Sequence, residues 1–158
     1  MAAPNKIKVV DHGANELLKK LKSRIGVRAG IFGGANSEVA YIAAIHEFGV
    51  ANAGRNHNIV IPRRSWLRDY VDNDIAKIRK RLRNAAKQST LGNMSLKKAF
   101  DIFGAATQGD IQARISTSIP PPNAESTIVQ KKSSTTLIGA NPGGTMRSSI
   151  TWVTEVDK

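Results

Sequence analysis

The chain contains no cysteine, which excludes disulfide bonds and thiolate chemistry. Assembly inside a cell is compatible with that absence. No apolar run follows Met1 to Lys6, so we expect no signal peptide, no membrane-spanning segment and no myristoylation site. Aromatic residues make up only 5% of the chain, which is few for a protein that binds single-stranded nucleic acid by stacking on bases.

Acidic residues are also few: 12 Asp and Glu stand against 24 Lys and Arg, for a formal charge of +12. This excess predicts a polyanionic partner, either nucleic acid or an acidic protein surface, and composition does not choose between them. The alternative is that the basic side chains only solvate exposed helix faces. No helix-turn-helix or zinc-finger pattern is present, so we expect no sequence-specific reading of DNA.

Patterns that carry catalysis are missing as well. The three histidines, His12, His46 and His57, lie far apart, and a metal site would need two of them to converge with a carboxylate. His46 beside Glu47 is the best single candidate for a base or ligand, yet its helical context favours a packed or interface histidine. The glycine-rich turn at 30–34 fits no phosphate-binding spacing. No serine elbow and no carboxylate pair stands out, so we predict a binding protein without cofactor or metal, and not an enzyme.

With 158 residues, 41% of them apolar, the sequence predicts one globular domain over 1–158. Its centre is a short helix over 39–48, a polar flexible loop over 50–61 and a long basic helix over 63–87. Pro62 is expected to set the angle at which the long helix starts. Apolar residues recur along that helix at three-to-four spacing: Trp66, Leu67, Tyr70, Val71, Ile75, Ile78 and Leu82.

The rest of the sequence completes an α+β prediction: a small, mostly antiparallel β-sheet packed against a long α-helical hairpin and an N-terminal helix. Ser95 is expected to cap the second helix of the hairpin, and Gly104 to allow a close helix approach or a bend. The other predicted elements are strands over 5–10, 26–33 and 150–156, helices over 13–25, 95–117 and 127–132, a rigid proline corner at 120–122, a flexible arm over 133–145 and a turn over 146–149.

Five short strings occur in a fixed order and carry a family resemblance. They are Ala44-Ile-His-Glu-Phe-Gly49, Ile61-Pro-Arg-Arg-Ser-Trp-Leu-Arg68, Gly109-Asp-Ile-Gln112, Pro121-Pro-Asn-Ala-Glu-Ser-Thr127 and Met146-Arg-Ser-Ser-Ile-Thr151. In this order, from about 27 to 156, the chain resembles the tailed-bacteriophage virion-morphogenesis family of tail-completion and head–tail-joining proteins. One difference is a longer segment, Leu137 to Thr145, where relatives carry a Leu-Ile-Asp-Thr-Gly-like turn.

The resemblance implies a structural virion protein, assembled in the host cytoplasm, that forms a ring at the phage neck and joins the tail tube or its terminator to the head connector. A hexamer is the preferred ring and a dodecamer the second choice. The partners would be other copies of the chain, adjacent connector and tail proteins, and genomic DNA in the lumen, with no membrane. The rival hypothesis is a non-specific DNA-binding protein that acts alone through its basic surface.

If the chain forms such a ring, three sets of residues are expected to make its contacts with neighbouring subunits, adjacent proteins and DNA. His46, Glu47 and Phe48, with the loop 50–61 and the arm 133–145, would form the contact between subunits. Arg63, Arg64 and Arg68 would pair with acidic groups on a neighbouring subunit. The basic end of the long helix would face lumen DNA or the acidic rim of the next ring; its members are Lys77, Arg79, Lys80, Arg81, Arg83 and Lys87.

Overall fold

The computed structural model describes residues 13–22, 24–34, 37–138 and 144–157. Its elements in chain order are α1 (Ala14–Lys22), β1 (Arg24–Gly30), α2 (Ser37–Phe48), β2 (Val50–Ala53), β3 (Ile59–Ile61), α3 (Trp66–Thr90), α4 (Leu96–Ile115), α5 (Glu125–Lys131), α6 (Thr145–Ser148) and β4 (Thr151–Asp157). The fold is α+β, as predicted, with two small antiparallel sheets. No helix within the described ranges is long and apolar enough to cross a membrane.

The first sheet pairs β1 with β4 in antiparallel register, with Val27 opposite Thr154 and Ala29 opposite Trp152. This confirms the predicted pairing of the strand near 26–33 with the closing strand. The predicted helix over 13–25 is too long, because residues from Arg24 onward bond to β4 instead. The predicted strand over 5–10 lies outside the described residues.

The α3–α4 hairpin encloses most of the core. The predicted meeting of Trp66, Tyr70 and Ile78 with the apolar face of α4 is confirmed, whereas Leu82 is exposed. Because α6 and the segment after α5 add to the same cluster, distant parts of the chain share one core. Its buried members are Ala43, Trp66, Tyr70, Ile111, Ile115, Ile119, Leu137, Met146 and Ile150. A second cluster, at Ala85, Ala99 and Phe100, lies farther along the hairpin.

Residues 50–61 form a β-hairpin, which corrects the predicted polar loop. Val50 pairs with Ile61 and Ala53 with Ile59, with a register irregularity between the two pairs. The turn uses left-handed backbone at Gly54 and at His57, whose φ angles are 81° and 52°. As a result, β3 presents apolar side chains in a stretch that was expected to be polar.

Several predicted boundaries also change. The long helix begins at Trp66 and not at Arg63, so Pro62 lies before it. The predicted cap of α4 is confirmed, because Ser95 accepts a hydrogen bond from the Lys98 amide at 3.2 Å. The helix predicted over 127–132 starts at Glu125, and the turn predicted over 146–149 is the short helix α6.

The predicted flexible arm over 133–145 is corrected in its first half. Thr136 and Leu137 are buried, and Leu137 belongs to the main core. Asn123 donates to the Thr136 carbonyl oxygen at 3.3 Å, which ties this segment to the proline corner. Residues 139–143 lie outside the described residues.

Gly104 of α4 lies against a strand, so the close approach predicted there is made with β4 and not with another helix, while the alternative of a bend at Gly104 stays a prediction. A Cβ atom added at Gly104 would lie 2.6 Å from Cε3 of Trp152 in β4. At Gly109, in the same helix, an added Cβ would meet nothing within 4 Å. The two glycines therefore form a matched pair with opposite expected effects on stability.

We expect Gly104→Ala to lower the free energy of unfolding by about 1–2 kcal/mol, because overpacking against the indole outweighs the gain in helix propensity. Gly109→Ala is expected to raise it by about 0.5–1 kcal/mol, since only the propensity changes. Urea unfolding followed by circular dichroism measures both. Equal signs for the two variants would contradict the packing of Trp152 on Gly104.

Candidate functional site

The end of α2 is held against the start of α3 by hydrogen bonds to the last turn of α2. The Arg64 amide donates to the His46 carbonyl oxygen at 2.7 Å, and Ser65 Oγ donates to that of Glu47 at 2.8 Å. Trp66 Nε1 donates to the Ala43 carbonyl oxygen at 3.2 Å. The carbonyl oxygens of His46 and Glu47 belong to the last turn of α2 and would otherwise lack partners, so the residues that lead into α3 satisfy them. We call this arrangement the α2–α3 joint.

Gly49 makes the joint possible. Its φ is 74°, and a Cβ there would lie 2.9 Å from the Arg63 amide nitrogen. Only glycine fits both the backbone angle and the close approach of the following segment. The predicted stop of the short helix at this residue is confirmed.

Glu47 acts inside the subunit, which corrects its assignment to the contact between subunits. Its side chain is buried, and its two carboxylate oxygens accept from the Leu67 amide at 2.9 Å and the Arg68 amide at 3.1 Å. These amides belong to the first turn of α3, where helix N–H groups lack partners and the helix dipole favours a negative charge. Glu47 therefore caps α3.

Arg64 is also internal. It is only 5% exposed, and its guanidinium donates to the carbonyl oxygens of Pro121 at 2.7 Å and Pro122 at 3.0 Å. Nε and Nη2 of Arg64 therefore hold the proline corner inside the subunit, and its pairing with an acidic group on a neighbouring subunit stays a prediction. Arg63 and Arg68 are exposed, and their contact with a neighbour stays a prediction.

His46 is half-buried, and its Nδ1 is buried without a hydrogen-bond partner in the structure. Burial lowers the pKa of His46, and the nearby charges of Arg64 and Lys131 lower it further. The Glu47 carboxylate binds the α3 amides, so it does not pair with His46, which was the best single candidate in the sequence for a base or ligand. Among the described residues, no group of three His, Cys, Asp or Glu side chains could hold a metal ion.

Phe48 is the one residue of the predicted His46–Phe48 contact that is turned to solvent. It is 69% exposed, and Tyr41 on the same helix is 68% exposed. On β3, Val60 is 68% and Ile59 53% exposed. We call these four residues the α2–β3 surface. The sequence placed Phe48 and the loop 50–61 in the contact between subunits, but it did not predict that residues 59–61 form a strand that exposes apolar side chains.

The predicted basic cluster is divided by its ion pairs. Lys77 and Arg81 both pair with Asp110 of α4, the former at 2.9 Å, so one carboxylate offsets half of their combined charge within the subunit. Their contact with DNA or a partner stays a prediction.

The remaining four bases of the cluster are exposed and make no ion pair with any described residue: Arg79, Lys80, Arg83 and Lys87. At 3.6 residues per turn they fall within an arc of about 100° on α3. We call them the α3 basic strip. This strip and the α2–β3 surface are the two exposed features that could bind a partner.

Three of the five sequence strings lie at the α2–α3 joint and the proline corner. The first two strings form the α2–α3 joint, and the fourth supplies the proline carbonyls that Arg64 binds. Comparison with known proteins finds no family model, no curated protein and no solved structure that matches the chain.

Proposed function

We propose that this chain is a structural virion protein that assembles into a ring of identical copies at the neck of a tailed bacteriophage. There it would join the tail tube or its terminator to the head connector, by binding and without catalysis. A hexamer is the first choice of ring and a dodecamer the second. The order of the five sequence strings supports the phage context, and the α2–β3 surface supports the assembly.

The observation that carries the proposal is the exposure of Tyr41 and Phe48, which lie seven residues apart and so on one side of α2, together with that of Ile59 and Val60 on β3. Single exposed apolar residues are normal, but several large ones on one side of an element mark interaction sites. Burying one such side chain contributes about 1.5–3 kcal/mol. The α2–α3 joint holds α2 in a fixed orientation, so little ordering cost would accompany assembly.

A ring closes through a heterologous contact, in which the α2–β3 surface of one copy meets a different surface of the next. Phe48→Glu would place a charge in that contact. We expect the wild-type chain to give a discrete ring in native mass spectrometry and Phe48→Glu to give single subunits. Because Phe48 is exposed, the free energy of unfolding of the subunit should change by less than about 0.5 kcal/mol.

Leu91→Glu is the matched control, since Leu91 is 61% exposed in the turn after α3, away from the α2–β3 surface. It should leave the ring intact. A wild-type chain that stays a single subunit at high concentration, or a Phe48→Glu ring of normal mass, would contradict the proposal.

A second candidate function, non-specific DNA binding by the single subunit, is favoured by the α3 basic strip. Four exposed bases without acidic partners would release counterions on contacting phosphates, and each contact contributes about 0.9 to the slope of log K against log salt. In the ring, the same strip would face lumen DNA or an acidic rim.

Changing Arg79, Lys80, Arg83 and Lys87 together to glutamine should lower that slope by about 3–4 if the strip binds duplex DNA. The measurement is fluorescence anisotropy of a labelled duplex over a series of salt concentrations. Changing Arg24, Arg55, Lys98 and Lys132 to glutamine removes the same charge from other exposed positions and should have a smaller effect. Tight binding by the Phe48→Glu single subunit would favour this second function over the neck ring.

A further inference from the structure

A pocket of about 880 Å³ lies between β3, the proline corner and the segment after α5. Its apolar wall includes Ile59, Ile61, Pro62 and Leu137. Its polar side chains include those of His46, Arg64 and Lys131. The pocket therefore combines an apolar wall with basic groups.

The two cations of the pocket bond only to neutral oxygens. Arg64 donates to the carbonyls of the proline corner, and Lys131 Nζ donates to the carbonyl oxygens of Thr136 at 2.9 Å and Thr135 at 3.2 Å. No Asp or Glu is among the described residues that line the pocket. A buried charge in a protein is ordinarily paired with an opposite charge, and none of these residues supplies one to the buried Arg64.

Arg64 and Lys131 lie close enough together for their positive charges to repel. Burial lowers the pKa of Arg64, and burial together with the Arg64 charge lowers the pKa of Lys131. A negative charge placed beside them would relieve this repulsion. Because four apolar residues line the same pocket, the group that carries the charge should have an apolar body.

We propose that this pocket binds a carboxylate carried on an apolar chain, with the carboxylate at Arg64 and Lys131 and the apolar part against β3 and Leu137. Arg64 is 5% exposed and held by two hydrogen bonds, so it is a preorganised, water-poor partner for an anion. The site is formed within one subunit, and because Ile59 and Val60 also belong to the α2–β3 surface, a ring contact there would cover part of its wall. Two sources share this chemistry: the carboxyl end of a partner's peptide, whose apolar part is made of side chains, and a small carboxylate with a single apolar chain.

His46 reports on the occupancy of the pocket. Arg64 and Lys131 are the charged groups that act on it, and a bound carboxylate would offset both. The pKa of His46 would then rise from its lowered value toward the ordinary range. At constant pH near 6, the imidazole signals would move toward their protonated positions.

The probe is hexanoate, titrated into protein whose three histidines carry carbon-13 in the ring, which keeps the spectrum simple even for an assembled ring. We expect a saturable shift of His46 with hexanoate and a weaker one with acetate. Hexanol has the apolar body without the charge, and inorganic phosphate has the charge without the apolar body. Both should shift the His46 signals less than hexanoate does. His57, which is exposed and lies outside the pocket, is the internal control.

Acetyl-Leu-Leu with a free carboxyl end tests the peptide source. Tighter binding than hexanoate would assign the site to a partner's chain end, and weaker binding would assign it to a small carboxylate; either result supports the shared chemistry. Equal shifts with hexanol, a stronger response to phosphate, or no shift with any carboxylate would overturn the proposal.

Lys131→Gln should weaken hexanoate binding about tenfold, which corresponds to one charge-assisted hydrogen bond. Lys132→Gln removes an exposed charge one residue away and should bind as the wild type does. Circular dichroism checks that both variants fold. If Lys131→Gln folds and binds hexanoate as tightly as the wild type, the assignment of the carboxylate to Lys131 is wrong.

Discussion

Replacing Trp66 with alanine is expected to lower the free energy of unfolding by about 3–5 kcal/mol. Trp66 is buried in the main core beside Ala43, and its indole N–H donates to the Ala43 carbonyl oxygen across the α2–α3 joint. Truncation would leave a cavity and also remove this bond. Because domains of this size are stable by about 5–15 kcal/mol in total, the loss would be a large share.

The measurement is the urea midpoint at unchanged m value. Trp66→Phe keeps a ring in the core but loses the hydrogen bond and part of the indole volume, so it should cost less than Trp66→Ala. Trp152→Ala removes an indole that is only half-buried and should cost less than Trp66→Ala. An equal cost for the two alanine variants would contradict the place of Trp66 at the centre of the core.

The long elements of this fold could be predicted because their signals are local. The apolar period of α3 and α4 runs over many turns, and Ser95 caps α4 with its own side chain. β1 and β4 each carry enough alternating residues to be recognised although they lie at opposite ends of the sequence. The hairpin of β2 and β3 could not be predicted, because its strands have four and three residues and its turn bends at Gly54 and His57.

The candidate site was harder to predict, because its charged residues work inside the subunit. Glu47 caps amides 20 residues away, and Arg64 binds a carbonyl oxygen 57 residues away. Sequence reasoning assigned both to contacts between subunits, since isolated charges are usually at the surface. A proline run, which exposes carbonyl oxygens without N–H groups, was the available signal for an internal arginine partner.

The division of the basic cluster could be predicted in part from helical periodicity. Lys77 and Arg81 are four residues apart and share one face of α3, which packs on α4. Arg79 and Arg83 lie on the opposite, exposed face. Helical spacing separates the two pairs, but only the fold reveals that Asp110 binds both members of the first.

Glu47→Ala is expected to lower the free energy of unfolding by about 2–3 kcal/mol, because two amides of the first turn of α3 would lose a charged acceptor. The effect should exceed that of an ordinary capping residue, since one buried carboxylate serves both amides and also ties α2 to α3. Urea unfolding of the isolated subunit measures it.

Glu47→Gln retains one acceptor oxygen without the charge and should lie between Glu47→Ala and the wild type. Glu38→Ala removes an exposed carboxylate from the first turn of α2 and should cost less than about 1 kcal/mol. These variants distinguish two hypotheses for Glu47. If Glu47 only contacts a neighbouring subunit, Glu47→Ala would weaken the ring and leave the stability of the subunit unchanged. If Glu47 caps α3, Glu47→Ala must lower the free energy of unfolding of the subunit, and by the same amount in the single subunits of Phe48→Glu as in the ring.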